Sequence, residues 1–315
     1  MAVTLRAAHE GFVTGGGQRS SRHRHMEFLH WRPINKLEDS MLTTEFAAEF
    51  ASESAHPRDI QLTNREPAHT AESRYAIYFV PNESSAWWRF GTLWLGRDMI
   101  TGKPVARQGT TIIAGVDDDY LDRITREPQR YGLHATLKAP VHLAPGYAPH
   151  DVYRKTAHLA ATQAPITLTP LKLSVIDGFV ALTLAHDPVR NAAVALLAEQ
   201  CVATFDNLRA RSSAADIAHR PMTGLTARQT SLLLQWGYPY VLEEFCFHIT
   251  LTRRLPLPEQ ARVLDALAPR VQALNQEPLA LNGLAVCMQP RRNAPFALVR
   301  RYGFDGSTRC YSHDD

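Results

Sequence analysis

The apolar positions of this chain fall into short runs whose spacing changes along its length, and the first strong run begins at Tyr75. The string YAIYFV at 75–80 is β-branched and aromatic and closes on Pro81 and Asn82, which predicts a strand and its exit. The aromatic-rich stretch 87–95 and the segment 117–126 predict helices, and GLHATLK at 132–138 predicts a strand stopped by Ala139 and Pro140. Pro149 suits the start of a helix over 151–161. Segments 166–173 and 179–184 read as two strands joined by the turn signal Asp177, Gly178.

The second half repeats that order. Helices are predicted at 189–205 and 227–236, a strand at 245–251 (FCFHITL), a helix at 258–274, and two strands at 279–288 and 296–302. Each half thus carries a strand with an H-x-T motif, then a helix, then a strand pair, an internal duplication of element order and not of residue identity.

Residues 1–70 differ. They hold six of the 14 histidines, three consecutive glycines at 15–17 and a basic run at 19–25, with little periodicity. That composition predicts a poorly packed extension with one short helix near 45–51. The other 245 positions carry the apolar pattern, and in a chain of 315 residues with 45% apolar content they suffice for a full core.

Charge narrows the partners only a little. A formal charge of +3 is too small for an electrostatic footprint on nucleic acid, and a sequence pI near 8.7 mildly favours anionic ligands. Cys201, Cys246, Cys287 and Cys310 form no C-x-x-C pair, which argues against a zinc knuckle or a redox dithiol. No cluster has metal-ligand spacing, so no metal and no cofactor is expected. No apolar run is long enough to span a bilayer and the start lacks a secretory h-region, so the expected setting is the cytoplasm, with no membrane partner.

The chemistry lies in the two motifs. Strand side chains alternate faces, so His134 and Thr136 project together, as do His248 and Thr250, while Leu133, Ala135, Leu137, Phe247, Ile249 and Leu251 point into a core. A lone histidine on a strand is ordinarily a packed or surface residue. Here only two of the 14 histidines are followed at +2 by Ser or Thr, and both sit in apolar runs at matching places in the two halves.

Phosphodiester cleavage needs this pairing. One imidazole deprotonates the attacking oxygen and the other protonates the leaving oxygen, and an ordinary imidazole value near 6.5 serves either role near neutrality. Threonine hydroxyls donate to the phosphoryl oxygens, where charge builds in the transition state. By strand parity Lys138 joins the same face, and Tyr75, Tyr131 and Tyr240 are candidates to hold a sugar or base. Cys246 shares parity with His248 but reads as a small core residue, and Arg291 and Arg292 as a solvated turn.

The paired strings HATL and HITL resemble the two-histidine phosphoesterase superfamily, which includes bacterial RNA ligase/cyclic phosphodiesterases. RYAIY at 74–78, LGRD at 95–98, YGLHATLKAP at 131–140 and WGYPYVLEEF at 236–245 resemble one branch more closely, proteins associated with phosphonate breakdown. The resemblance covers about residues 73 to 304 and implies an α+β, bilobal fold, two pseudo-symmetric lobes of antiparallel sheet with outer helices around a central cleft. The lobes are expected at roughly 71–185 and 186–305, followed by a tail at 306–315.

The resemblance further implies catalytic roles for His134, Thr136, His248 and Thr250 in a phosphoric diester hydrolase that opens a small cyclic phosphodiester, such as a phosphoribosyl cyclic phosphate. Two other readings use the same residues: an enzyme of RNA 2′,3′-cyclic or 2′,5′-linked ends, and a non-catalytic module that binds a phosphorylated sugar or nucleotide.

Overall fold

The computed structural model describes residues 68–107, 117–211 and 224–312. The expected extension, with its helix at 45–51, lies up to residue 67 outside the described residues. The fold is α+β, with antiparallel sheets and, among the described residues, six α-helices.

In chain order the elements are β1 (Arg74–Phe79), α1 (Ala86–Leu95), α2 (Asp118–Gln129), β2 (Ala135–His142) and α3 (Pro149–Ala161). Then come β3 (Ile166–Thr167), β4 (Leu171–Ile176), β5 (Phe179–Leu184), α4 (Pro188–Phe205) and α5 (Ala227–Trp236). The chain continues with β6 (His248–Arg254), α6 (Leu257–Leu274), β7 (Ala280–Leu281), β8 (Gly283–Gln289), β9 (Ala297–Gly303) and β10 (Thr308–Cys310).

Local chemistry sets several of these boundaries. The Ser85 side chain accepts from the Trp88 amide at the start of α1, and Gly96, at φ 69, ends that helix in the left-handed conformation. Pro170 cannot donate to a ladder, so the strand expected over 166–173 divides into β3 and β4. The strand expected over 279–288 is interrupted at Asn282, and β7 pairs with β3.

The first motif strand does not stop at Ala139 and Pro140. It runs on to His142, because β2 is the edge of its sheet and a proline there leaves no ladder bond unmade. The second motif strand begins later than expected, at His248, after a 3₁₀ turn over Leu242–Glu244. The expected tail is structured at its start, since residues 308–310 pair with β9 across the turn at Asp305 and Gly306.

Two sheets position the motifs. One has the order β10-β9-β8-β1-β2 and the other β4-β5-β6, so each motif strand is an edge. The hairpin β4-β5 follows the first motif in sequence yet pairs with β6, which carries the second. The hairpin β8-β9 follows the second motif yet pairs with β1, beside β2. Each sheet therefore draws strands from both sides of residue 185.

Helices α3 and α4 pack on the larger sheet, and α2 and α6 on the smaller. One apolar cluster runs through both, joining Phe79 and Leu137 of the larger sheet to Leu182 and Ile249 of the smaller. A second cluster, with Ala76, Tyr78, Met99 and Phe296, lies on the other face of β1. Along β1 the side chains alternate accordingly: Tyr75, Ile77 and Phe79 enter the first cluster, Ala76 and Tyr78 the second.

Candidate functional site

Each motif histidine is held in the same way by its own backbone. His134 Nδ1 lies 2.9 Å from the Gly132 carbonyl oxygen and His248 Nδ1 lies 2.9 Å from that of Cys246. A carbonyl only accepts, so in both rings Nδ1 carries the hydrogen and the neutral imidazole presents the lone pair on Nε2. Gly132 is at φ 72, and a Cβ there would lie 2.7 Å from the Met99 sulfur, so the turn that aims its carbonyl at His134 requires glycine. At the second motif the backbone of Cys246 serves the ring, while its side chain, expected in the core, is exposed.

The motifs meet at one cleft of about 510 Å³, lined by His134, Thr136, His248 and Thr250. Thr136 Oγ1 is 3.3 Å from His134 Nε2. The His134 ring lies against Tyr78, centroids 4.0 Å apart, and next to Tyr131 at 5.9 Å. Phe179 flanks His248 at 6.0 Å.

Burial disfavours charge on both imidazoles. It pushes His134 down to about 4, a shift opposed by the Gly132 hydrogen bond and reinforced by charge on His248. Burial also lowers His248, against the Cys246 carbonyl. Charge on His248 disfavours charge on His134, so the two rings titrate as a coupled pair. Around them burial holds Tyr78 well above the ordinary phenol range and pushes Tyr238 up to about 12, so both remain neutral hydroxyls.

Of the further candidates, Tyr131 lines the cleft, whereas Tyr75, Lys138 and Tyr240 do not. Tyr75 is on the core face of β1 and its hydroxyl meets His69 Nδ1 at 3.2 Å. Lys138 is turned away by a β-bulge. Thr136 pairs with Tyr78 but Lys138 pairs with Ile77, so one extra residue in β2 sends Lys138 to the core side. There its ammonium donates to the Val202 carbonyl at 3.2 Å and pairs with Asp206 at 3.5 Å. Burial pushes Lys138 down to about 8, partly countered by Asp206. Lys138→Met is therefore expected to leave kcat/KM within about threefold of the wild type, since it removes no group from the cleft. A fall of a hundredfold in a folded variant would return Lys138 to the site.

Tyr240 is exposed, edge-on to Tyr238 at 5.7 Å, and Tyr238 is the one that lines the cleft. Both follow the left-handed Gly237, in irregular backbone where strand parity does not hold. Sequence reasoning also passed over Tyr78, Arg74, Arg253 and Arg254, all of which line the cleft. Arg74 and Tyr78 share parity in the string RYAIY, and the two arginines directly follow HITLT; both signals were legible. Among the described residues, no group of His, Cys, Asp and Glu side chains is placed to hold a metal ion. No described helix is long and apolar enough to cross a membrane.

Residues 136–297, about half of the chain, match the family model described as "Protein of unknown function (DUF1045)". The chain belongs to this family. The DUF1045 match begins at Thr136 and takes in the whole of the second motif. Among curated proteins the chain is 34% identical over 239 residues to ribose 1,5-bisphosphate phosphokinase PhnN of Janthinobacterium sp. (strain Marseille), covering 74% of this chain and 51% of the relative. It is 35% identical over 229 residues to the protein of that name from Laribacter hongkongensis (strain HLHK9), covering 72% and 51%. The chain spans about half the length of the curated relatives it matches.

Proposed function

We propose that this DUF1045 chain is a metal-independent phosphoesterase that opens a small cyclic phosphodiester by two-histidine acid–base catalysis. The observation that carries this reading is the pair of H-x-T motifs, one from each sheet edge, lining a single cleft with both Nδ1 atoms tied back. The two sheets are then the two lobes of a two-histidine phosphoesterase fold. Ribose 1,5-bisphosphate, named in the curated relatives, supports a phosphorylated ribose as the ligand class. A phosphoribosyl cyclic phosphate, such as arises in phosphonate breakdown, meets both requirements.

The phosphokinase activity in the relatives' name has no counterpart in a nucleotide-cradling motif here. The single Gly-Lys pair, Gly102 and Lys103, is followed by Pro104 and lacks the glycine five positions before it that a G-x-x-x-x-G-K-[ST] loop needs.

We assign the base to His134, which burial lowers to about 4, and the acid to His248. His134 stays neutral and its Nε2 takes the proton of the attacking water as the oxygen bonds to phosphorus. His248, in its protonated form, gives its Nε2 hydrogen to the ring oxygen as the old P–O bond breaks, leaving a phosphate monoester. Thr136 and Thr250 donate to the non-bridging oxygens. The resting pair is restored when a proton returns through solvent from His134 to His248.

The pH dependence follows with its sign. The base is active above its own value, about 4, and the acid is active below that of His248, which is itself under the usual imidazole value. kcat/KM, which reports the free enzyme, is expected to trace a bell centred on the acidic side of about 6.5. A maximum above pH 7 would contradict the assignment. Identity of the substrate is tested by turnover of cyclic ribose phosphates, 2′,3′-cyclic nucleotides and 2′,5′-linked dinucleotides. Turnover of the RNA substrates alone would replace the sugar reading, and turnover of none would leave a binding module.

A further inference from the structure

Three arginines line the cleft, and they differ in what already neutralises them. Arg254 is largely exposed and ion-paired with Asp177 in the β4-β5 turn. Arg253 spends Nε on the Arg123 carbonyl at 3.3 Å and Nη1 on that of Arg254 at 3.0 Å. Arg74 is half-buried, and the partner that orients it is neutral. Its Nε and Nη2 donate to the Gln289 amide oxygen at 2.8 and 2.5 Å.

The amide is itself fixed, since Gln289 Nε2 donates to the Ala294 carbonyl at 2.7 Å. The guanidinium also rests over the Phe296 ring, 5.7 Å from its centroid. No carboxylate among the described residues pairs with Arg74; Glu127 lines the same cleft but is exposed and makes no ion pair with it. An oriented, partly buried cation held by a neutral amide keeps its charge for a ligand.

The position of Arg74 says which part of a ligand it meets. Phe296 packs on Tyr131 at 5.3 Å and on Tyr78 at 5.9 Å, and each of those rings in turn contacts His134, so Phe296 and one tyrosine lie on the contact path from the guanidinium to the imidazole. An anion on Arg74 would sit in the same cleft as the group at the histidines. The Tyr78, Tyr131 and Tyr238 side chains line the cleft between, the first and last of them as neutral donors.

We propose that Arg74, oriented by Gln289 and aided by the hydroxyls of Tyr78, Tyr131 and Tyr238, forms a second anion subsite that takes a phosphate monoester remote from the scissile ring. This rests on the sugar-phosphate reading above and sharpens it: the enzyme prefers a substrate with two phosphorus groups, a cyclic diester at the histidines and a monoester at Arg74.

The experiment has a binding arm and a turnover arm. Ribose 5-phosphate, which has no scissile ring, is titrated calorimetrically into wild type, Arg74→Gln and Gln289→Glu, each checked by circular dichroism. Losing a charge-assisted contact is expected to weaken its binding by about 10- to 100-fold in Arg74→Gln. Gln289→Glu keeps the arginine but supplies the missing carboxylate, so binding falls there too, even if Arg74→Gln does not fold. In the turnover arm, the ratio of kcat/KM for ribose 1,2-cyclic phosphate with and without a 5-phosphate collapses by the same factor. Unchanged affinity, or equal losses on both cyclic substrates, would overturn the subsite. Weakened binding in the variants, with neither cyclic phosphate turned over by the wild type, would uphold the subsite and reject the reaction.

Discussion

Replacing His134 or His248 by Ala is expected to lower kcat on a cyclic phosphodiester by about 10²–10⁴-fold, the usual contribution of a positioned proton donor or acceptor. Both rings line one cleft and each has Nδ1 tied back to a carbonyl, which leaves Nε2 for proton transfer, so each variant loses one end of a single proton relay. The double variant should therefore be little worse than the poorer single one, because residues acting as a unit are not additive.

The two variants separate when the leaving group is changed. An activated aryl diester needs no proton on its departing oxygen, so it should restore most of the rate to His248→Ala and little to His134→Ala. Rescue in the opposite sense would exchange the two roles. Equal turnover by the wild type and a folded double variant would remove both residues from the chemistry. Thr136→Ala and Thr250→Ala are expected to be milder, since each leaves the other donor in place.

What the sequence disclosed, and what it hid, follows from the range of each interaction. Parity on a strand is local, so the shared face of His134 with Thr136 and of His248 with Thr250 was legible, as was the helix start at Pro149, whereas the break at Pro170 was missed and the strand was expected to run unbroken over 166–173. Strand pairing is long-range. Nothing in the residues between 171 and 184 announces that they join β6, some seventy positions on, so each sheet draws strands from both halves of the chain. Lys138 lies on the core side for a subtler reason. A bulge of one residue in β2 reverses parity beyond it, and the signal is a register shift against β1 that exists only once the strands are paired. On β1, attention went to Tyr75, whose neighbours at 74 and 78 face the cleft while it does not.

Trp94→Ala is expected to be the most damaging single change outside the motifs, and the reason lies in what α1 touches. Trp94 is fully buried, and its indole N–H donates to the Leu251 carbonyl at 2.8 Å, one residue past Thr250. One turn earlier, Gly91 packs so closely on Leu133, the neighbour of His134, that a Cβ there would fall 2.5 Å from that side chain. Helix α1 is thus wedged between the segments that carry the two motifs, and Trp94 fixes its hold on the second.

Truncating a buried indole costs about 3–5 kcal/mol. At roughly 2–4 °C per kcal/mol for a domain of this size, Tm should fall by about 6–20 °C. Below that temperature the folded variant should lose kcat more than it gains KM, because a displacement of about 1 Å between acid and base costs on the order of 10²-fold. Trp94→Phe keeps most of the apolar volume and loses the N–H, so it should melt much closer to the wild type while retaining part of the kcat defect. Calorimetry and steady-state kinetics on the two variants check this. A Trp94→Ala protein melting within 2 °C of the wild type would show that α1 does not hold the motif strands in register.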